Sequence, residues 1–335
     1  MPCIEPLPSP GSVNPALAAI DAFFPAFAPP PVASERIGVA YSGGADSTAL
    51  LHAAAERWPG QVQAIHIHHG LQAAADAFVR VCESACAALR VPLNIVRVDA
   101  RPAPGASPED AARRARYAAL AAAAQSHGLS GVLLGQHADD QVETLLLALI
   151  RGAGLPGLSA MPARFEREGI AFYRPLLKTP AASLRRWLVQ QKIPFVNDPS
   201  NRDERYPRNR IRARLLPALT VAFPQFRKTF ARSVRHAAQA QRLLNEVAAD
   251  DLAHMGGGLV IKSLQALSDA RQANLLRHWL YQTHRASPST AQLDQLLAQV
   301  AACTTRGHRI HLKIAAGHMT RKGAVLQYTA VGQDG

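Results

Sequence analysis

Cysteine is scarce: four residues in 335, at positions 3, 82, 86 and 303. They are too few and too scattered for a disulfide framework. No Cys-x-x-Cys pair occurs, which argues against a zinc ribbon or a dithiol redox site. Cys82 and Cys86 lie four apart in an apolar-periodic stretch and read as helix packing. A long hydrophobic run is missing as well. The apolar stretch from Val13 to Ala33 is interrupted by Asp21 and five prolines, so it cannot cross a bilayer as one helix. The opening Met1-Pro2-Cys3-Ile4-Glu5 lacks the basic segment of a secretory signal, and a cytoplasmic location without membrane contact is expected.

Acidic residues are the third shortage. Lys and Arg number 37 against 24 Asp and Glu, a net +13. Such a surplus suggests a polyanionic partner, although 31 arginines in an alanine-rich chain also fit a bias in genome composition. Position separates the two. Between Ser200 and Arg235 there are ten basic residues against Asp203 and Glu204, so +8 of the +13 falls in 36 positions. Bias spreads charge evenly, whereas clustering fits the phosphates of a nucleic acid. A solvated helix face remains the alternative for Arg227, Lys228, Arg232 and Arg235 taken singly.

The length allows about two domains. Residues 1–34 are a Pro-rich N-terminal extension with at most one short helix between Pro15 and Phe24. Apolar runs at 37–41, 62–68, 93–98 and 132–135 then alternate with helical patterns at about 47–57, 72–90, 108–127 and 140–150. Strands separated by helices imply an α/β fold, a twisted parallel sheet with helices on both faces. Segment 172–195 offers one more strand and helix, and a long helical region runs to about 250. From Gly256 a smaller, mostly helical α+β unit is expected: strand, helices at about 269–284 and 289–302, then two strand-like runs ending at Tyr328. Pro217 and Pro224 mark the boundary, giving domains at 35–218 and 219–331.

Ser42-Gly43-Gly44-Ala45-Asp46-Ser47 follows the first strand and opens a helix. Two glycines allow a tight turn with accessible N–H groups, and the helix start adds partial positive charge. Ser42 and Ser47 can donate hydroxyl bonds to the same anion. Asp46 suits an anion site when a divalent cation lies between it and the phosphates. Ser-Gly-Gly alone would be an ordinary strand–helix turn with a capping residue; the whole hexapeptide, placed after a buried strand, favours a nucleotide. The lysine of the common phosphate loop is absent. A second segment, Gly135-Gln136-His137-Ala138-Asp139-Asp140-Gln141-Val142-Glu143-Thr144, runs off the fourth strand into a helix. Asp140 and Glu143 share a helix face. Two readings are open on that spacing alone: a grip for a cationic amine, or acids complementing the helix dipole.

The hexapeptide resembles the pyrophosphate loop of the N-type ATP pyrophosphatases, which implies an adenine nucleotide alpha hydrolase-like, Rossmann-like fold and ATP split into AMP and pyrophosphate. Further motifs narrow the likeness. They are Glu109-Asp110-Ala111-Ala112-Arg113-Arg114-Ala115-Arg116-Tyr117, Arg151-Gly152-Ala153-Gly154, Gly157-Leu158-Ser159-Ala160-Met161, Asn197-Asp198-Pro199-Ser200-Asn201 and Tyr206-Pro207-Arg208-Asn209-Arg210-Ile211-Arg212, ending in Leu215-Leu216-Pro217. In this order they resemble the tRNA(Ile)-lysidine synthetases, strongly over 36–217 and more weakly over 259–328.

That resemblance implies a ligase that joins free lysine to C2 of the wobble cytidine of tRNA(Ile) bearing a CAU anticodon, through an adenylated cytidine. It makes residues 35–218 the ATP-binding catalytic domain and 219–331 a small tRNA-binding domain. Carried over by motif, Ser42, Gly43, Gly44, Ala45, Asp46 and Ser47 bind ATP, with Asp46 as partner of Mg²⁺. His66 and Ile67 lie where the adenine rests on strand backbone. Asp140 and Glu143 hold the lysine ammonium, and Arg113 stabilises phosphate charge, with Arg208 a second candidate. Asp46, Arg113, Asp140 and Glu143 form the catalytic set; Arg205, Arg208, Asn209 and Arg212 would meet the tRNA. His66, His68 and His69 read equally well as strand-end histidines. The chain departs from the family at Gln136, where a second histidine is usual, and its length suits the shorter architecture. Oligomeric state stays open, a homodimer among the options. Alternatives are another tRNA-modifying pyrophosphatase such as a cytidine thiolase, whose paired cysteines are missing, a synthetase acting on a small acid, and a non-catalytic basic RNA-binding protein.

Overall fold

A computed structural model describes residues 13–32, 34–68, 75–98, 108–198, 203–305 and 307–330, with side chains at 75–77 and 108–110 excepted. His69, Pro199, Ser200 and Asn201 lie outside the described residues. Two compact units divide at Arg235.

The first unit begins with helix α1 (Pro15–Phe27), then strand β1 (Arg36–Ala40), α2 (Ala45–Arg57), β2 (Val62–His68), α3 (Ala75–Leu89), β3 (Leu93–Arg97), α4 (Pro108–Ser126) and β4 (Leu129–Leu133). It continues with α5 (Ala138–Ile150), α6 (Leu155–Leu158), β5 (Arg164–Arg167), β6 (Ile170–Tyr173), α7 (Ala181–Gln190), α8 (Pro207–Arg210) and α9 (Leu216–Ala222). Helix α10 (Phe226–His254) runs across the division. The sheet order is β3-β2-β1-β4-β6-β5, parallel except for β5. β5 was not legible in the sequence; it folds back through Glu168 and Gly169, both at positive φ, in a tight hairpin.

The period of two along each strand sorts its side chains onto two faces. Ile37, Val39, Ala171 and Tyr173 join a core with Leu50 and Leu51 of α2 and Leu184 and Leu188 of α7. Ile65, Val132, Ile170 and Phe172 face Tyr117, Leu120 and Ala124 of α4 on the other side. The α/β sheet covered on both faces is therefore present.

Helix α1 belongs to the first of these cores. Asn14 caps it, accepting from Ala16 N–H at 2.9 Å and donating to Ala49 O at 3.0 Å. Its buried Ile20, Phe23 and Phe24 lie on the α2 side, with the Phe24 ring edge-on to Trp58 at 5.0 Å. The helix runs three residues past the expected end, to Phe27, because Pro25 costs only one hydrogen bond near its terminus. Part of the Pro-rich extension is thus core.

The second unit holds α11 (Ile261–Gln265), α12 (Asp269–His284), α13 (Thr290–Ala301) and an antiparallel sheet of β7 (His311–Ile314), β8 (Gly317–Lys322) and β9 (Val325–Ala330). Leu275, Leu280, Leu296, Ile314 and Met319 form its core. The strand expected after Gly256 is reduced to one bridge, Val260 to Val325, before α11 begins. Two strand-like runs become three strands, because the chain turns at Ala315 (φ +49°) and again at Gly323 (φ +63°).

Truncating the α1 ring, Phe24→Ala, is expected to cost about 3–5 kcal/mol, as for a buried phenylalanine. Urea unfolding measures this; a loss below about 1 kcal/mol would mean that α1 is not part of the core.

Candidate active site

β1 ends at Ala40, and the chain turns through Ser42, Gly43 and Gly44 into α2. Gly43 has φ +80°, and a Cβ there would lie 3.1 Å from Cys82 Sγ. Gly44 is the N-cap of α2, so the first N–H groups of that helix have no intrahelical acceptor and suit an anion. The turn is braced before any ligand arrives. Ser42 Oγ and Ser47 Oγ are 3.0 Å apart, Ser47 Oγ donates to Gly44 O at 3.0 Å, and Thr48 Oγ1 donates to the same carbonyl at 2.9 Å. Beneath it, burial pushes the Cys82 thiol up to about 12, so this cysteine is inert packing.

β4 is the neighbour of β1, and its continuation enters α5 beside this turn. Gly135 makes the approach feasible, since a Cβ there would sit 3.2 Å from Ser47 N. His137 caps α5: Asp140 N lies 3.3 Å from the ring's Nδ1, and the His137 backbone N–H donates to Asp140 Oδ2 at 3.0 Å. The same ring brings Nε2 within 3.5 Å of Asp46 Oδ2 and 3.4 Å of Asp140 Oδ2. Burial would lower its pKa, but the charges of Asp140, Asp46 and Asp139 outweigh that and raise it to about 9. The 3.3 Å contact to Nδ1 is weak, and the three acids decide the ring's charge.

Asp139 points away from the cleft as a tie. Its Oδ2 accepts from Ala181 N–H at 3.0 Å, and its Oδ1 takes Arg227 Nη2 at 2.6 Å. Asp140 lines the cleft, whereas Glu143, one turn on, is wholly buried. Arg212 meets both. Its Nε and Nη2 donate to Glu143 Oε1 and Oε2 at 2.8 and 3.0 Å, and Nη2 lies 3.4 Å from Asp140 Oδ1. Arg208 adds a longer contact, 3.7 Å to Glu143 Oε2. Burial raises the Glu143 carboxyl above its ordinary value, against the pull of Arg212. Burial works to lower the Arg212 guanidinium, yet the Glu143 contact holds it above its ordinary value.

The backbone that delivers Arg212 is unusual. Between α8 and α9, residues 211–215 widen into a π-turn in which Leu216 N–H reaches Ile211 O. Pro217 lacks the N–H that an α-helix would offer to Ala213, and the wide turn forms just ahead of it. Arg208 and Arg212 remain on one face, towards α5.

The far wall comes from α4 and β6. Arg113 and Arg116 line the cleft, and the Arg113 guanidinium lies over the Tyr117 ring at 5.2 Å. Behind them Arg174 is buried, donating to Gln136 Oε1 at 3.0 Å, Tyr117 Oη at 3.1 Å and Pro162 O at 2.8 Å.

The cleft has a volume of about 490 Å³. Ser42, Gly44, Asp46, Ser47, Ile67, Arg113, Asp140, Arg208, Asn209 and Arg212 all line it. Gly43 and Ala45 contribute turn backbone. His66 points to the opposite face of the sheet, its Nδ1 2.9 Å from Tyr41 O. Arg205 stands apart on the surface, bonded to Asp203 at 2.7 Å. Sequence reasoning passed over Arg116, His137 and Arg174. Arg116 had a readable signal, three residues after Arg113, and His137 another, directly before the acids. Arg174 had none, since its partner Tyr117 is 57 residues away. Among the described residues no group of three or more acidic, histidine or cysteine side chains forms a metal cage. A divalent cation at Asp46 would therefore need phosphate oxygens and water for the rest of its shell, which is the usual habit of Mg²⁺.

Replacing Arg227 by Met leaves the buried Asp139 without its guanidinium partner, and should cost about 3–5 kcal/mol in urea unfolding. Asp139→Asn in the same chain should recover part of that loss; no recovery would show that the pair is not what Arg227 contributes.

Comparison with known proteins finds matches over most of the chain. A PP-loop domain model matches residues 19–219, and a TilS substrate binding domain model matches 259–321. The chain is 73% identical over 318 residues to the tRNA(Ile)-lysidine synthase of Polaromonas naphthalenivorans, covering 95% of this chain and 96% of that one. It is 44% identical over 273 residues to the tRNA(Ile)-lysidine synthase of Burkholderia pseudomallei, covering 79% of this chain but 56% of that longer protein. Among solved structures, the U34-tRNA thiolase of Methanococcus maripaludis superposes with a TM-score of 0.56 at 13% identity, over 66% of this chain and 77% of its own. That last likeness is one of fold.

Proposed function

This chain belongs to the tRNA(Ile)-lysidine synthase family, and on that footing we propose that it joins lysine to C2 of the wobble cytidine of tRNA(Ile), splitting ATP into AMP and pyrophosphate. The observation that carries the reading is the convergence of the 42–47 turn, Arg113 and Asp140 on one cleft, with Glu143 buried behind Arg212 in its wall. The chemistry has two steps. Cytosine O2 attacks the α-phosphorus, and the bond to the β-phosphate oxygen breaks; lysine Nζ then attacks C2, the C2–O2 bond breaks and AMP leaves with the oxygen.

Each step asks something of the residues. Departing pyrophosphate carries concentrated negative charge, and the N–H groups of the turn with the α2 terminus suit it. Arg113 and Arg116 stand opposite, ready for charge on the α-phosphate. Asp46 is the residue that would hold Mg²⁺ against phosphate oxygens, where the ion would supply further charge neutralisation. The adenine would lie along the β2 backbone near His66 and Ile67. Asp140 and Glu143 would hold the lysine ammonium, and neighbouring guanidinium groups favour loss of its proton before attack.

For the tRNA, the exposed cations Arg205, Arg210, Lys228, Arg232 and Arg235 suit backbone phosphates. Arg208, Asn209 and Arg212, grouped with Arg205 on sequence grounds, would act within the cleft. No helix among the described residues is long and apolar enough to cross a membrane.

With ATP, lysine and tRNA bearing a CAU anticodon, the protein should release pyrophosphate and add one lysine to one nucleoside, read by mass spectrometry of the digested tRNA. Orthophosphate release, or turnover without RNA, would refute the proposal. Asp140→Asn should raise the KM for lysine about tenfold or more while the ATP dissociation constant moves less than about threefold. Equal loss of both would remove Asp140 from the lysine site.

A further inference from the structure

The two carboxylates assigned to lysine already hold a cation. Arg212 grips Glu143 with two bonds of 2.8 and 3.0 Å and reaches Asp140 at 3.4 Å, the same pair of acids that an ammonium would need. The pair's charge is also answered: Glu143 and Asp140 face Arg212 and Arg208, two negative groups and two positive, with His137 beside Asp140 as well. An arriving ammonium would be a third cation beside two guanidinium groups, with no uncompensated acid in that pair to receive it. Glu143 has no exposed surface through which water could screen the repulsion. An acid pair that is already neutralised attracts an ammonium poorly.

A phosphate anion changes that balance. Arg212 lines the same cleft as Ser42, Gly44 and Ser47, and its side chain is 40% exposed, so it has room to leave Glu143. Guanidinium binds phosphate oxygens by the same two-pronged contact that it makes with a carboxylate. The wide turn at 211–215 closes its hydrogen bond over one residue more than a regular helix, a local irregularity directly under the Arg212 side chain.

We propose that Arg212 is the resident cation of the lysine pocket and that lysine binds strongly only after the phosphates of a bound nucleotide have drawn Arg212 off Asp140 and Glu143. Arg212 is thus a positioning residue that makes nucleotide binding precede lysine binding. The inference rests on the reading that Asp140 and Glu143 receive the lysine ammonium.

Lysine binding to the full chain, measured by calorimetry with and without α,β-methylene-ATP and Mg²⁺, tests it. The unaltered protein should bind lysine about tenfold or more tightly when the analogue is present. Arg212→Gln should bind lysine without nucleotide as tightly as the unaltered protein binds it with nucleotide, with the dependence reduced to less than about threefold. Arg212→Lys should restore part of the dependence. Equal lysine affinity with and without the analogue in the unaltered protein overturns the proposal, whatever the variants do. An Arg212→Gln protein that melts normally and keeps the full dependence overturns it too. Glu143→Gln and Asp140→Asn separate the underlying assignment. If both lose lysine in every state, the pocket stands and the Arg212 result decides alone; if both bind it unchanged, the pocket itself is wrongly assigned.

Discussion

The pairing of β1 with β4, Gly38 beside Val132 and Val39 beside Leu133, brings two loops to one point of the sheet. Strands that follow β1 in sequence go to one side, towards β2 and β3, while β4 and β6 go to the other. A crevice opens at the carboxyl ends where the order reverses, which is where parallel α/β sheets receive ligands. The phosphate turn leaves β1 and the acid-bearing helix leaves β4, so an anion site and a cation site become neighbours through strand order alone. Gly135 allows that closeness, because any side chain there would press on the backbone at Ser47.

Such closeness sets an electrostatic problem. Four acids, Asp46, Asp139, Asp140 and Glu143, crowd the start of one helix and the mouth of another. Unpaired, they would repel an approaching nucleotide and destabilise the fold. Each is answered by a positive group: Asp139 by Arg227, Glu143 by Arg212 and Arg208, Asp46 and Asp140 by His137. The arrangement places opposite charges in contact that a reaction between a polyanion and an ammonium can later exchange. Buried pairs contribute little net stability, so their value here lies in holding geometry.

The arginine-rich stretch from 200 to 235 consequently divides in two. Arg208, Arg212 and Arg227 turn inward onto acids from another part of the chain, and Arg205 and Arg214 pair locally with Asp203 and Glu204. Arg210, Lys228, Arg232 and Arg235 stay on the surface. Clustering in sequence therefore overstates the charge offered to a nucleic acid, although it locates the right segment.

Much of the fold was written in local pattern. Apolar runs separated by helical periods announced β1 to β4 and their helices, because a parallel strand buried on both faces must be apolar throughout. The 42–47 turn and the 135–144 segment were equally legible, since phosphate binding and helix capping depend on residues adjacent in the chain. The burial of α1 was less so: a Pro-rich start gives no hint that Phe23 finds a partner in Tyr173 and Phe24 one in Trp58. Nor could spacing reveal which guanidinium meets which acid. Arg212 and Glu143 are 69 positions apart, and only the packing of the 207–222 segment against α5 brings them together. What the order of residues determined was each local conformation and its chemical content. What tertiary structure decided was the pairing of distant charges, because long-range electrostatics depends on distance in space and leaves no period in the chain.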